Sequence, residues 1–230
     1  MVAGSERGWS SLLARLGGRR PSGQEAVTPT PGGGATGPLF PTKALKKFLA
    51  TLTNRVDPVL LDLGPVIGAN VAFFGEQLGC KIFVEDLFAD VDRFRGREDE
   101  LAGFLETRFP QPDGSFDGIL CWDLIDFLPP AAGQVLASQL TRLLAVDGAL
   151  LGFFGTAAGR ETTFTKFVVA DDQTLQYRSY GPARTRTRIL QNRDIIKLFE
   201  GLRVSDSFLL QTNMREILFR KPAYLAGAGA

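Results

Sequence analysis

Val59 to Glu85, VLLDLGPVIGANVAFFGEQLGCKIFVE, decides how this chain folds. Val59, Leu60 and Leu61 form a short apolar run that stops at Asp62. A glycine-bearing turn follows, Gly64-Pro65-Val66-Ile67-Gly68, and then an amphipathic stretch from Ala69 to Leu78 that closes at Gly79. A second β-rich run, Lys81 to Val84, ends on Glu85. Buried strand, tight turn, helix and second strand make a βαβ unit. Such a unit takes nucleotide-like ligands at the carboxyl ends of its strands, where glycine admits a ligand to the backbone.

The pattern continues outward on both sides. Before the unit, Thr42 is a suitable N-cap, and Ala44, Leu45, Phe48, Leu49 and Leu52 recur at helical spacing. After it, the charged stretch Asp86 to Glu100 reads as a solvated helix or loop over the sheet, and Leu101 to Phe109 as a short third strand. Pro112-Asp113-Gly114-Ser115 is a turn by its chemistry, and Phe116 to Trp122 is a buried strand ending at Asp123. Pro129 and Pro130 open a helix over roughly Ala131 to Leu144, and Ala149 to Phe154 is a fully apolar strand. Strand, helix and strand again predict a parallel sheet covered on both faces.

Residues 155 to 188 break this rhythm. Thr162 to Val169 and Thr174 to Tyr180 predict a hairpin about Asp171-Asp172-Gln173. Asn192 is placed to cap a helix carrying Ile195, Ile196, Leu198 and Phe199, which ends at Gly201. Arg203 to Leu210 and Met214 to Arg220 are joined by only Gln211-Thr212-Asn213, a link short enough to force an antiparallel pair. Residues 1 to 38, rich in Gly, Pro, Ser and Thr, are expected to be a disordered tail, with Trp9 to Leu16 able to form one or two helical turns. Tyr224 to Ala230 is expected to fray, so the folded domain spans 39–222 and the frayed end 223–230.

Composition narrows the chemistry. With 230 residues, 44% hydrophobic, the chain suffices for one sizeable α/β core. A net charge of +1 gives no overall pull toward nucleic acid or membrane, and no apolar run reaches the ~20 residues of a membrane helix. The first residues lack the apolar centre of a signal peptide, and Cys80 and Cys121 have no metal-site spacing, which makes a reduced, cytoplasmic setting the expectation. The chain has no histidine, which removes Ser-His-Asp triads, Cys-His pairs and HExxH zinc sites together. No metal is expected, and any chemistry must use carboxylates, tyrosine, lysine, arginine or the positioning of two reactants.

These landmarks, taken in order, resemble the class I S-adenosylmethionine-dependent methyltransferases over roughly residues 42 to 222. Asp62, Gly64 and Gly68 match the acid and the outer glycines of that family's first motif, with Val66 in place of the middle glycine. Glu85 closes the second strand at about the family's interval from Asp62. PDGSFD at 112–117 and ILCWDLIDFL at 119–128 resemble the family's approach to and exit from strand four, with Phe127 where a histidine is often found. Leu198-Phe199-Glu200-Gly201-Leu202 resembles the segment before its terminal hairpin. The resemblance implies a three-layer, Rossmann-like α/β sandwich with a mostly parallel seven-stranded sheet and a C-terminal antiparallel hairpin.

It also implies a site for S-adenosyl-L-methionine. Glu85 would accept from both ribose hydroxyls, and Asp62 would hold the amino-acid end beside Gly64 and Gly68. Asp86 and Leu87 would lie at the adenine edge, Leu87 as an apolar platform, with Glu106 as the acid after strand three. Cys121 and Trp122 would line the end of strand four beneath the methyl group, Trp122 as a wall or as ordinary packing. Asn70 would touch the ligand or merely cap its helix. Asp123 or Asp126 could accept a proton from the acceptor. The insertion at 155–188 would build the acceptor site, where Tyr177, Tyr180, Arg178, Arg184, Arg186 and Arg188 suit a small anionic or aromatic molecule or form a solvated basic hairpin. The short basic stretch argues against nucleic acid. The expected activity is methyl transfer to a small molecule. A non-catalytic binding or scaffold protein of the same fold, and a nicotinamide-dependent oxidoreductase, are the alternatives.

Overall fold

The computed structural model describes residues 37–156, 162–184, 186 and 189–223. The expectations for the tail before residue 37, for Arg188 and for 224–230 lie outside them. Six strands form the main sheet. β2 (Val59–Asp62), β3 (Lys81–Val84), β4 (Phe116–Trp122), β5 (Leu144–Gly155), β8 (Arg203–Leu209) and β9 (Met214–Arg220) lie in the order β3-β2-β4-β5-β9-β8. The first four run parallel, and β9 is antiparallel to both β5 and β8. The βαβ unit and the terminal hairpin are therefore as the sequence predicts.

Alternation along the strands divides the core. Leu61, Ile119, Cys121, Leu150 and Phe154 point to one face, where α3 (Leu87–Arg93), α4 (Glu98–Thr107), α5 (Pro130–Leu143) and α6 (Asn192–Leu198) pack. Leu60, Leu120, Trp122, Leu151 and Phe153 point to the other, against α1 (Leu45–Thr53). Proline at the first position of α5 supplies a preset φ where its missing N–H loses nothing.

One predicted strand is absent. Residues expected as strand three belong to α4, so the main sheet has six strands among the described residues, not seven. Leu101 and Leu105 recur one helical turn apart on the buried side, and Glu98, Asp99 and Glu100 complement the positive end of the helix.

A second sheet lies outside that prediction. β1 (Leu39–Pro41), β7 (Thr174–Arg184) and β6 (Thr162–Val169) form an antiparallel sheet in the order β1-β7-β6. Its hairpin was expected, but β1 was not. Gly37 and Pro38, assigned to the tail by composition, already accept hydrogen bonds from Gln176 and Tyr177. A Cβ on Gly37 would fall 1.8 Å from the Tyr177 carbonyl oxygen, so only glycine allows this approach. The hydroxyl of Thr42 and the Lys43 N–H donate to the buried Glu216 carboxylate of β9. Thr42 also accepts from the Leu45 N–H at 3.3 Å, close to the capping role expected of it.

Candidate functional site

The acids singled out by sequence lie at the carboxyl ends of adjacent parallel strands. Asp62 ends β2 in register with Val84 of β3 and Leu120 of β4, which places Glu85 on one side of it and Trp122-Asp123 on the other. The two sides differ sharply.

On the β4 side the turn is filled by the protein's own side chains. Trp122 has φ +52°, a left-handed conformation strained for a bulky residue. Its indole N–H donates to Asp62 Oδ1 at 2.6 Å, and the Gly64 N–H donates to the same oxygen at 2.9 Å. The indole stacks on Phe167 of β6, with centroids 5.0 Å apart and planes within 6°, and lies beside Phe153. A Cβ on Gly64 would stand 2.9 Å from the indole nitrogen. Asp62 is 4% exposed, and burial, only partly offset by these two donors, pushes its carboxyl up to about 6.

At the far side of the turn a Cβ on Gly68 would meet nothing within 4 Å. Gly68 opens α2 (Gly68–Val71), which continues as a π-helical turn over Ala72–Gln77. Val66, the departure from the motif, is 67% exposed and faces away from the core. Asn70 is buried, and its side chain does not cap the helix. Its amide nitrogen donates to the Phe167 carbonyl and its oxygen accepts from the Val169 N–H, at 2.9 and 2.8 Å, fastening β6 to the helix.

On the β3 side, Glu85 is partly exposed and Arg108 donates to its Oε2 at 2.5 Å, while also reaching Asp90 at 3.1 Å. Asp86 caps α3 by accepting from the Ala89 N–H, and its other oxygen accepts from the Tyr180 hydroxyl at 2.9 Å. Two residues expected at the adenine edge are placed differently. Leu87 is buried in the core instead of forming an open platform, and Glu106 is exposed near the end of α4, since the strand that would have carried it to the site is a helix.

Beyond β4, two acids are enclosed. Asp123 is 0% exposed, and neither of its oxygens makes a well-formed hydrogen bond. Burial and the neighbouring Asp126 raise its carboxyl to about 8, with Arg186 and the Thr165 hydroxyl offsetting part of this. Asp126 is fully buried rather than at the surface. It accepts from the Gly155 N–H at 2.6 Å and pairs with Arg186 Nε at 3.1 Å, and burial lifts it to about 6. Cys121 points into the opposite core, where burial drives its thiol far above the ordinary range.

Tyr177 and Tyr180, the hairpin tyrosines expected at an acceptor site, both have partners within the protein. Tyr177 packs against Phe40 and Phe167, its phenol pushed up by burial. Tyr180 faces Asp86, and the Arg184 side chain lies outside the described residues. Arg108 and Phe167 are the participants that sequence reading missed. Neither belongs to a motif, and each meets its partner only through the fold.

No family model matches this chain, and no curated protein matches it. Solved structures do. The 1,6-didemethyltoxoflavin N1-methyltransferase of Burkholderia thailandensis, crystallised with S-adenosylhomocysteine, is 15% identical over 78% of each chain, with a TM-score of 0.44. The glycopeptide N-methyltransferase MtfA, complexed with S-adenosyl-L-methionine, is 15% identical over 77% of this chain and 92% of its own, at 0.43. The 4+2 cyclase SpnF is 13% identical over 78% and 80%, at 0.47. Among the described residues no group of His, Cys, Asp or Glu could hold a metal ion, and no helix is long and apolar enough to cross a membrane.

Proposed function

We propose that this chain binds S-adenosyl-L-methionine at the ends of β2, β3 and β4 and transfers its methyl group to a small-molecule acceptor. The observation that carries the reading is the row of acids, Glu85, Asp62 and Asp123, at the ends of three neighbouring parallel strands. The donor set suits the ligand: two carboxylates face a cationic nucleoside, and a partly exposed glutamate can accept from two ribose hydroxyls. The bound cofactor supplies an electrophilic methyl on a good leaving group, so alignment provides much of the acceleration.

The chain's own residues then have distinct tasks. Glu85 exchanges its contact with Arg108 for the ribose. Asp62 balances the ligand's charge. Asp123, enclosed beside the Asp126–Arg186 pair, takes a proton from the acceptor once uncovered and ionised; with its carboxyl raised to about 8, alkaline pH favours that ionised form.

A second reading, binding without catalysis, is favoured by one observation: Trp122 already covers the turn that the amino-acid end would approach. Titration calorimetry with S-adenosylmethionine, S-adenosylhomocysteine and NADH, wild type beside Glu85→Ala, tests both. Micromolar binding of the adenosyl ligands, lost in the variant, supports the cofactor. Binding of NADH alone would sink it. Turnover of the methyl donor against a panel of small acceptors separates catalysis from binding alone.

A further inference from the structure

We propose that Trp122 sets which adenosyl ligands this site accepts. Its indole holds the amino-acid half of the site shut, so nucleosides without an amino-acid end bind beside it and S-adenosylmethionine binds only by displacing it. This inference rests on the adenosyl reading above.

Three independent features hold the indole in place. The left-handed backbone at Trp122 turns the side chain back over the turn, and a strained conformation persists only where its surroundings enforce it. The N–H is engaged by the Asp62 carboxylate, the group that would otherwise face a ligand's ammonium. The ring stacks on Phe167, which in turn stacks on Phe153, and the Phe167 carbonyl is held by the Asn70 carboxamide. The ring closes on Gly64, where one added methyl would stand 2.9 Å from the indole nitrogen, so an aminobutyrate chain passing over Gly64 must move it. The β3 end has no such obstruction. Glu85 and Asp86 are partly exposed, and a ribose need displace only the Arg108 contact.

A ligand that must open a closed state binds more weakly by the fraction of time that state is open. Losing a hydrogen bond to a charged group and an aromatic stack gives a penalty of roughly tenfold to a hundredfold. That penalty falls on S-adenosylmethionine and S-adenosylhomocysteine, and 5′-methylthioadenosine escapes it.

The test uses the full chain with those three ligands. Trp122→Phe keeps an aromatic ring in the stack but removes the donor to Asp62 and shortens the plug. It should tighten S-adenosylhomocysteine and S-adenosylmethionine about tenfold, leaving 5′-methylthioadenosine within twofold. Phe167→Leu loosens the same seat with Trp122 intact and should act in the same direction, which covers a folding failure of the first variant. The chain has two tryptophans, so in a Trp9→Phe background Trp122 is the sole tryptophan emitter. Saturating S-adenosylhomocysteine should then shift emission to the red, and 5′-methylthioadenosine should not. Equal gains for all three ligands, or unchanged emission with S-adenosylhomocysteine bound, would overturn the role of Trp122 and leave the adenosyl reading standing. Silence of all three ligands in every variant would remove both.

Discussion

The two ends of the strand-edge site are built on opposite principles. At the Gly64 end, aromatic rings, a tryptophan N–H and a buried carboxylate satisfy one another with no space left over. At the Glu85 end, a carboxylate and a guanidinium meet in partial contact with water, where either can change partner cheaply. Apolar surface and enclosed hydrogen bonds make the first end a structural element as much as a binding surface. The second end retains solvent and loosely held charge, so it is the end at which a ligand can compete. Stability and recognition are thus allotted to different halves of one edge.

The largest expected effect breaks the tight end. Phe167→Ala removes the ring beneath Trp122 and should lower stability by about 3–5 kcal/mol, while Glu85→Ala at the open end should stay under about 1 kcal/mol. Denaturant midpoints of the two variants check the contrast; equal losses would refute it. Asn70→Ala strands the Phe167 carbonyl and the Val169 N–H and should cost about 1–3 kcal/mol in the same assay.

Protonation gives a subtler effect. Asp62, Asp123 and Asp126 all sit higher in the folded chain than the 3.8 of a free side chain. The native state therefore keeps protons that the unfolded chain has released, and these acids lower stability as pH rises from about 4 through about 8. Asp123→Asn should flatten the part of that fall between about pH 6 and 8, by up to about 1.4 kcal/mol per pH unit. Thermal melts across that range would show it, and an unchanged slope would place Asp123 in a less enclosed setting. The smallest effect belongs to Val66→Gly. Its side chain faces solvent, so restoring the motif's glycine should alter adenosyl-ligand affinity less than twofold and stability by no more than about 1 kcal/mol. A large gain in affinity would move the obstruction from Trp122 to the turn itself.

These contrasts also mark what could be read from the chain. β2, β4 and β5 announce themselves through short apolar runs, and the β6–β7 and β8–β9 hairpins through their turns, because both signals are local. Leu101 to Phe109 offered five apolar residues that suit a strand or a helix about equally, and packing against α5 chose the helix. β1 is three residues long, ends in proline and exists only because β7 is there to receive it. Within the site, Asp62, Glu85 and Asp123 were legible as acids at strand ends. Their partners were not: Arg108, Trp122 and Arg186 reach them across long stretches of chain, and nothing in the residues around Trp122 signals a left-handed backbone.

The placement of β9 carries a consequence for how the protein is made. Because β9 lies between β5 and β8, the apolar edge of β5 has no neighbour on that side until residue 220 has left the ribosome. Thr42 and Lys43, which emerge early, likewise wait for Glu216 to complete their contacts. The nascent chain passes through a long interval with a sticky, unpaired strand exposed, and the sheet closes in one late step. Slow translation before β9 should lengthen that interval and increase aggregation, whereas the finished chain has no such edge at β5.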